Sequence, residues 1–147
     1  MSSPSNNRNF ITILYINAPS LLCHKHVVEI LLEKDNFDIL CICETWLYPY
    51  MKDECVNIPS YNIYRDDQGR GGGVCIYVKD YLKVNILENC SEKHEGIEAK
   101  WLSVQHRKLP SVIIGCVYRH PKANASSFTF ISDSLKILFC EISQFSY

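Results

Sequence analysis

Three apolar runs each close on a polar residue: residues 11–16 on Asn17, residues 39–43 on Glu44, and residues 112–117 on Tyr118 and Arg119. Short runs of this length, rich in Ile, Val, Tyr and Cys, read as strands buried on both faces. A carboxylate or amide at the C-terminal end of such a strand is where α/β enzymes place chemistry. What Asn17 and Glu44 offer there is oxygen lone pairs, the raw material of cation binding and proton transfer.

Other residue types with chemical potential read as structural. The eight cysteines contain no Cys-x-x-Cys pair, and Cys41, Cys43, Cys75, Cys116 and Cys140 lie inside apolar runs, where free thiols behave as small hydrophobes. Reduced core residues are expected, not a disulfide framework or a zinc site. His24 and His26 are two apart on an expected helix, where they share no face, and read as solvated. Gly71-Gly72-Gly73 lacks the Gly-x-x-x-x-Gly-Lys spacing of a phosphate loop and leads into a strand, so its expected task is a turn or a close approach of backbone to another strand.

The elements that must hold Asn17 and Glu44 follow from the pattern. Residues 10–16 form a strand, Ser20 is placed to N-cap a helix through about Lys34, and residues 37–43 form a second strand. In that helix Leu21, Leu22, Val28, Ile30, Leu31 and Leu32 supply the apolar face. A right-handed β-α-β crossover makes the two strands parallel, so Asn17 and Glu44 emerge at the same edge. Residues 45–60 are a Trp/Tyr/Pro loop. Residues 61–64 and 74–78 bracket the Gly-rich connection as a hairpin, and residues 83–87, 97–105 and 111–117 are three further strands. A last helix spans residues 127–143, with Phe128, Ile131, Leu135, Leu138, Phe139 and Ile142 at helical spacing.

With 147 residues, 47% of them hydrophobic, the chain is about one domain long: a polar tail at residues 1–9, expected to be disordered, and a domain at residues 10–147. The net charge of −1 provides no global basic field, so any phosphate binding must be local. No apolar stretch is long enough for a membrane span, and the default location is the cytoplasm or nucleus.

Four segments in this order carry a family resemblance: Leu14-Tyr15-Ile16-Asn17-Ala18-Pro19-Ser20-Leu21; Asp38 to Glu44 running into Thr45-Trp46-Leu47; Tyr64-Arg65-Asp66 with Arg70-Gly71-Gly72-Gly73-Val74; and Tyr118-Arg119-His120-Pro121. Together they resemble the endonuclease domain of non-LTR retrotransposons of the jockey and chicken-repeat type, within the endonuclease/exonuclease/phosphatase superfamily. The resemblance implies an α/β fold, the N-terminal part of a four-layer α/β sandwich. It also implies a divalent metal, Mg²⁺ or Mn²⁺, and nicking of a DNA phosphodiester beside a reverse transcriptase domain in a parent polyprotein. By that resemblance Asn17 is the active-site amide, Glu44 the metal-binding carboxylate and Tyr118 the tyrosine that reaches toward phosphate. Arg119, His120 and Lys122 stand where they could contact the DNA backbone, or as solvated loop charge.

The chain departs from the family where Pro19 and Asp67 stand in place of commonly basic residues. The family's downstream Gly-Asp-Phe-Asn and Ser-Asp-His motifs do not occur in these 147 residues. The domain is therefore expected to be C-terminally incomplete, with Mg²⁺ held weakly and hydrolysis absent from the isolated chain. The competing expectations are a superfamily phosphatase or phosphodiesterase acting on lipid or small phosphates, and a non-catalytic remnant.

Overall fold

The structure is a computed structural model that describes residues 8–90 and 94–144. The expected tail at residues 1–9 lies almost wholly outside the described residues. In chain order the elements are β1 (Ile13–Asn17), α1 (Leu21–Asp35), β2 (Ile39–Cys43), β3 (Tyr61–Asp66), β4 (Val74–Lys79), β5 (Lys83–Ile86), β6 (Ile97–Gln105), β7 (Val112–Arg119) and α2 (Ser126–Gln144). Short 3-10 turns stand at Asp53–Cys55 and Glu88–Cys90.

The strands form two sheets, one in the order β1-β2-β4-β3 and the other β5-β6-β7. β1 and β2 are parallel, as the crossover rule requires, with Asn17 in register with Cys43. β4 pairs antiparallel with both β2 and β3, the latter closing the expected hairpin.

Alternating side chains divide the interior into layers. Leu40, Ile42, Cys75 and Tyr77 meet Leu21, Val28 and Leu32 of α1 on one face of the first sheet. Ile39, Cys41, Cys43, Val74, Ile76 and Val78 point the other way, onto Leu102, Val104, Ile114 and Cys116 of the second sheet. Trp101, Ala99, Ile113 and Val117 on the outer face of that sheet pack with Leu138 of α2. The result is helix, sheet, sheet, helix: the four-layer α/β arrangement.

β2 is buried along both faces and β4 nearly so. β1 alternates between exposed and half-buried positions, and β7 has exposed positions as well, because each is an edge strand of its sheet. β7 also runs on through Tyr118 and Arg119, so these two residues sit inside the strand and not after it.

Both helices bury narrower stripes than their apolar spacing suggested. On α1, Leu22 and Ile30 are exposed. On α2 the face toward the sheet holds Ser127, Ser134 and Leu138, whereas Phe128 and Phe139 are 63% and 71% exposed. Cys140 is likewise exposed, a correction to its expected core position that follows from the same rotation of the helix. Cys41, Cys43, Cys75 and Cys116 are buried free thiols, and His24 and His26 lie on exposed positions of α1.

Ser20 does not cap α1. It adopts a left-handed backbone (φ 61°, ψ 78°) with no side-chain cap bond, whereas an N-cap needs an extended backbone. Its amide is drawn to the Glu44 carbonyl at 3.1 Å, flanked by Ala18 N–H to Cys43 O at 3.2 Å and Leu21 N–H to Thr45 O at 2.9 Å. These bonds extend the parallel pairing beyond the strands and tie the turn after β1 to the turn after β2. At the opposite end of the pair, buried Asp38 accepts from the Thr12 amide (2.7 Å) and hydroxyl (2.9 Å).

Candidate active site

The backbone after β2 turns sharply, and the glycine run is what allows it. Glu44 and Trp46 both hold left-handed backbones, φ 58° and 57°. Thr45 N–H donates to Gly73 O (3.2 Å), Trp46 N–H to Gly72 O (3.0 Å) and Gly69 N–H to Leu47 O (2.8 Å). Two loops are thereby zipped side by side. Gly73 itself lies at φ +89°, and a β-carbon there would stand 2.5 Å from Thr45 Oγ1, so only glycine lets the strand leading into β4 lie this close to buried Thr45. The run serves close backbone approach, as its sequence context suggested. Beside it, Arg70 lies over the Trp46 ring at 5.8 Å.

On this frame Asn17 Nδ2 donates to Glu44 Oε1 at 2.9 Å. Glu44 is half-buried and Asn17 exposed, so the pair faces solvent from the C-terminal ends of two adjacent parallel strands. Tyr118 arrives from the other sheet. Its approach is set by the contact between β2 and β7, where Cys43 Sγ lies 3.8 Å from Cys116 Sγ and 3.8 Å from the Val117 carbonyl. The Tyr118 hydroxyl titrates above the ordinary phenol value, first because of burial, then because of the nearby Glu44 charge. Tyr118 is thus a neutral phenol beside the carboxylate. Among the thiols below, the hydrogen bond with Cys116 lowers Cys43 to about 7.

A residue the sequence reading did not single out completes the cluster. Glu98 on β6 is 4% exposed, and its Oε1 meets His120 Nε2 at 2.7 Å. Glu98 is directly opposite Tyr118 in the β6–β7 register, and the His120 and Tyr118 rings meet edge to face at 5.0 Å. Burial pushes the Glu98 carboxyl above its ordinary value, opposed by the bond to His120. Glu98 has the same parity on β6 as buried Leu102 and Val104. An acid on the core-facing parity of an apolar strand was the signal available in the sequence.

The remaining candidates part company. Arg119 projects from the other face of β7, where Nε donates to Ser127 Oγ (2.7 Å), Nη2 to Ala123 O (2.7 Å), and the guanidinium covers the Phe128 ring at 4.5 Å. Those donors anchor the start of α2. Lys122 is exposed and borders a cleft with His120. Asp67, standing where a basic residue was expected, forms an ion pair with Arg65 at 3.1 Å, and Arg65 also reaches Asp53 at 3.3 Å. Burial raises the Asp67 carboxyl and the Arg65 charge opposes that rise.

Hard oxygen donors are what Mg²⁺ and Mn²⁺ accept, and the Glu44 carboxylate with the Asn17 amide presents them at a solvent-facing edge. The set is sparse. Among the described residues no group of three or more His, Cys, Asp or Glu side chains gathers to hold a metal. The donor chemistry fits a divalent cation held by few protein ligands.

Residues 13–125 match the sequence profile of the Endonuclease/Exonuclease/phosphatase family. The chain belongs to that family. The match runs from the first residue of β1 to the residue before α2 and takes in Asn17, Glu44, Glu98, Tyr118 and His120. No curated protein sequence matches the chain.

Among solved structures, the AP endonuclease LMAP from Leishmania major is 18% identical with a TM-score of 0.51, over 75% of this chain and 40% of that one. A humanized D. rerio TDP2 is 13% identical with a TM-score of 0.51, over 90% of this chain and 59% of that one. An AP endonuclease from Archaeoglobus fulgidus is 20% identical with a TM-score of 0.48, over 71% and 40%. The chain thus spans about two-fifths of the length of the two AP endonucleases. The Endonuclease/Exonuclease/phosphatase fold accounts for why residues from both sheets meet at one rim: the sheets pack face to face, and β1, β2 and β7 end at the same side.

Proposed function

We propose that this chain is the N-terminal part of a metal-dependent DNA endonuclease of the non-LTR retrotransposon type, which nicks a target phosphodiester for reverse transcription. The observation that carries the reading is that Asn17, the last residue of β1, bonds the Glu44 carboxylate just after β2, while Tyr118 of β7 lies near enough for the Glu44 charge to raise its hydroxyl. The parent polyprotein would carry the reverse transcriptase domain, and the site of action is intracellular, in the cytoplasm or nucleus. Among the described residues no helix is long and apolar enough to cross a membrane.

Each residue has a task its position suits. Glu44 would hold Mg²⁺ or Mn²⁺, with Asn17 keeping the carboxylate oriented through its 2.9 Å bond. When bound, such a cation supplies charge stabilisation to a phosphate and acidity to water. Tyr118, a neutral phenol, is an O–H donor for a phosphate oxygen, and His120 and Lys122 offer an imidazole and an ammonium toward the DNA backbone. Asn17, Glu44 and Tyr118 do not supply both a base for the attacking water and enough negative charge to hold the metal. The isolated chain is therefore proposed to bind but not to turn over.

The test is nicking of supercoiled plasmid with Mg²⁺ or Mn²⁺. The isolated chain should give no product, and a fusion carrying the C-terminal part of a close relative after Tyr147 should nick. In the fusion, Glu44→Ala, Asn17→Ala and Tyr118→Ala should each reduce nicking, Glu44→Ala most. Nicking by the unextended chain that Glu44→Ala abolishes would show that these residues suffice and would overturn the proposal of an incomplete site.

A further inference from the structure

A buried carboxylate with one oxygen spent on a single partner needs a reason. Glu98 Oε1 meets His120 Nε2, while Glu98 Oε2 is buried without a hydrogen-bond partner among the described residues. Removing a carboxylate from water is costly unless its charge is used. The surroundings are fitted to the pair. A β-carbon on Gly72 would stand 3.0 Å from Glu98 Oε1 and 3.2 Å from His120 Nε2, so the middle glycine of the run is small where the pair passes. The His120 ring is braced on its other side by Tyr118. His120 is one-third exposed (34%), and its Nδ1 has no partner among the described residues.

His120 also lines a cleft of about 390 Å³ together with Gly96, Lys122, Ala123, Asn124 and Glu95, at the small end of the range for ligand sites. Lys122 and Asn124 add a cation and amide donors to the imidazole. The cleft is joined to Tyr118 through the His120 ring, which Tyr118 meets edge to face.

We infer that Glu98 is a positioning residue that fixes His120 as the contact for a second, non-scissile phosphate of the DNA strand, seated in this cleft. With Nε2–H donated to Glu98, Nδ1 is the ring nitrogen left to meet a phosphate oxygen, and a proton taken up there with the phosphate would complete a carboxylate–imidazole–phosphate relay in which each charge is paired. This assignment rests on the reading of the site as a phosphodiester site. It adds a register device: one phosphate at Glu44 and Tyr118, its neighbour at His120.

The experiment uses the full chain, uniformly labelled with ¹⁵N. The ring nitrogens of His120 are followed while inorganic phosphate, and separately a short duplex oligonucleotide, is added. The His120 Nδ1 resonance should move with both. Glu98→Gln should abolish that movement and weaken duplex binding about tenfold, as expected for losing a charged hydrogen bond. Glu98→Asp should restore part of it.

His120→Ala should weaken binding to a similar degree, and the Glu98→Gln/His120→Ala double variant no further, because the two act as one unit. A merely structural Glu98 would lower the melting temperature without coupling to His120 in affinity. His120 ring signals that ignore both phosphate and duplex would overturn the inference, and that measurement needs no variant to fold. Mn²⁺ broadening of the Asn17 side-chain amide reports separately on the metal reading. Broadening there with a silent His120 sinks only the second phosphate, and a responsive His120 with no broadening sinks only the metal site.

Discussion

Gly73→Ala separates the two things a glycine can do at this site, and the structure gives each a size. The backbone there sits at φ +89°, which for an L-residue costs about 1–2 kcal/mol. The new methyl would also arrive 2.5 Å from Thr45 Oγ1; forcing apart a packed contact of that kind typically adds about 1–3 kcal/mol. The variant should therefore lose about 2–5 kcal/mol, a large share of the total stability of a domain this size. Gly71 is the internal control. It has nearly the same backbone, φ +87°, but nothing lies within 4 Å of its would-be β-carbon, so Gly71→Ala should lose only the conformational part, about 1–2 kcal/mol.

Thr45→Ala closes the comparison. Thr45 Oγ1 is buried without a hydrogen-bond partner among the described residues, so removing it strands no partner. In urea denaturation, Gly73→Ala in the Thr45→Ala background should cost no more than Gly71→Ala does in the wild type, a coupling of about 1–3 kcal/mol between sites in contact. Because Thr45 N–H is bonded to Gly73 O, the single Gly73→Ala variant should also displace Glu44 and weaken Mn²⁺ binding. Equal losses for Gly71→Ala and Gly73→Ala, or a double variant no better than the single, would refute the claim that close approach to Thr45 is what the glycine run serves.

Mg²⁺ should bind the isolated chain only in the millimolar range, about 4 kcal/mol; calorimetry showing micromolar binding that Glu44→Gln removes would contradict a site this sparse. Asp38→Ala should cost about 1–3 kcal/mol in chemical denaturation, since it leaves the half-buried amide and hydroxyl of Thr12 without their shared acceptor. Glu98 carries a pH signature. Burial raises its folded carboxyl above the ordinary 4.5, so its contribution is fully present below the unfolded value and is lost as pH rises through the folded one. The stability difference between wild type and Glu98→Gln should accordingly shift toward the variant as pH is raised above 4.5, and a difference that moves the other way would mean that His120 more than compensates for burial.

Legibility in the sequence tracked how local the determinant was. The parallel β1–β2 pair, the antiparallel hairpin and the shared edge of Asn17 and Glu44 all follow from alternation and crossover handedness over some thirty residues, and the structure has each of them. Ser20 was misread because its backbone is set by the Glu44 carbonyl, a partner far away in sequence, and the faces of α2 because helical spacing of apolar residues does not say which stripe meets a sheet. Among the described side chains of α2, Phe128, Leu135, Ile137 and Phe139 are exposed, while Ser127 and Ser134, with satisfied hydroxyls, face inward.

Glu98 was missed for a related reason. An acid on an apolar strand shows only that something must compensate its burial, and the compensator, His120, is supplied by a register between β6 and β7 that no local pattern encodes. The same register explains why the site has two sides. Tyr118 and His120 have the same parity on and just beyond β7, opposite Arg119, so one extended segment delivers a phenol to Glu44 and an imidazole to Glu98 while its intervening residue anchors α2. A one-residue slip of β7 would exchange these faces together. It would send Arg119 into the site and Tyr118 and His120 out of it, which makes the β6–β7 register, more than any single side chain, the feature on which the candidate chemistry depends.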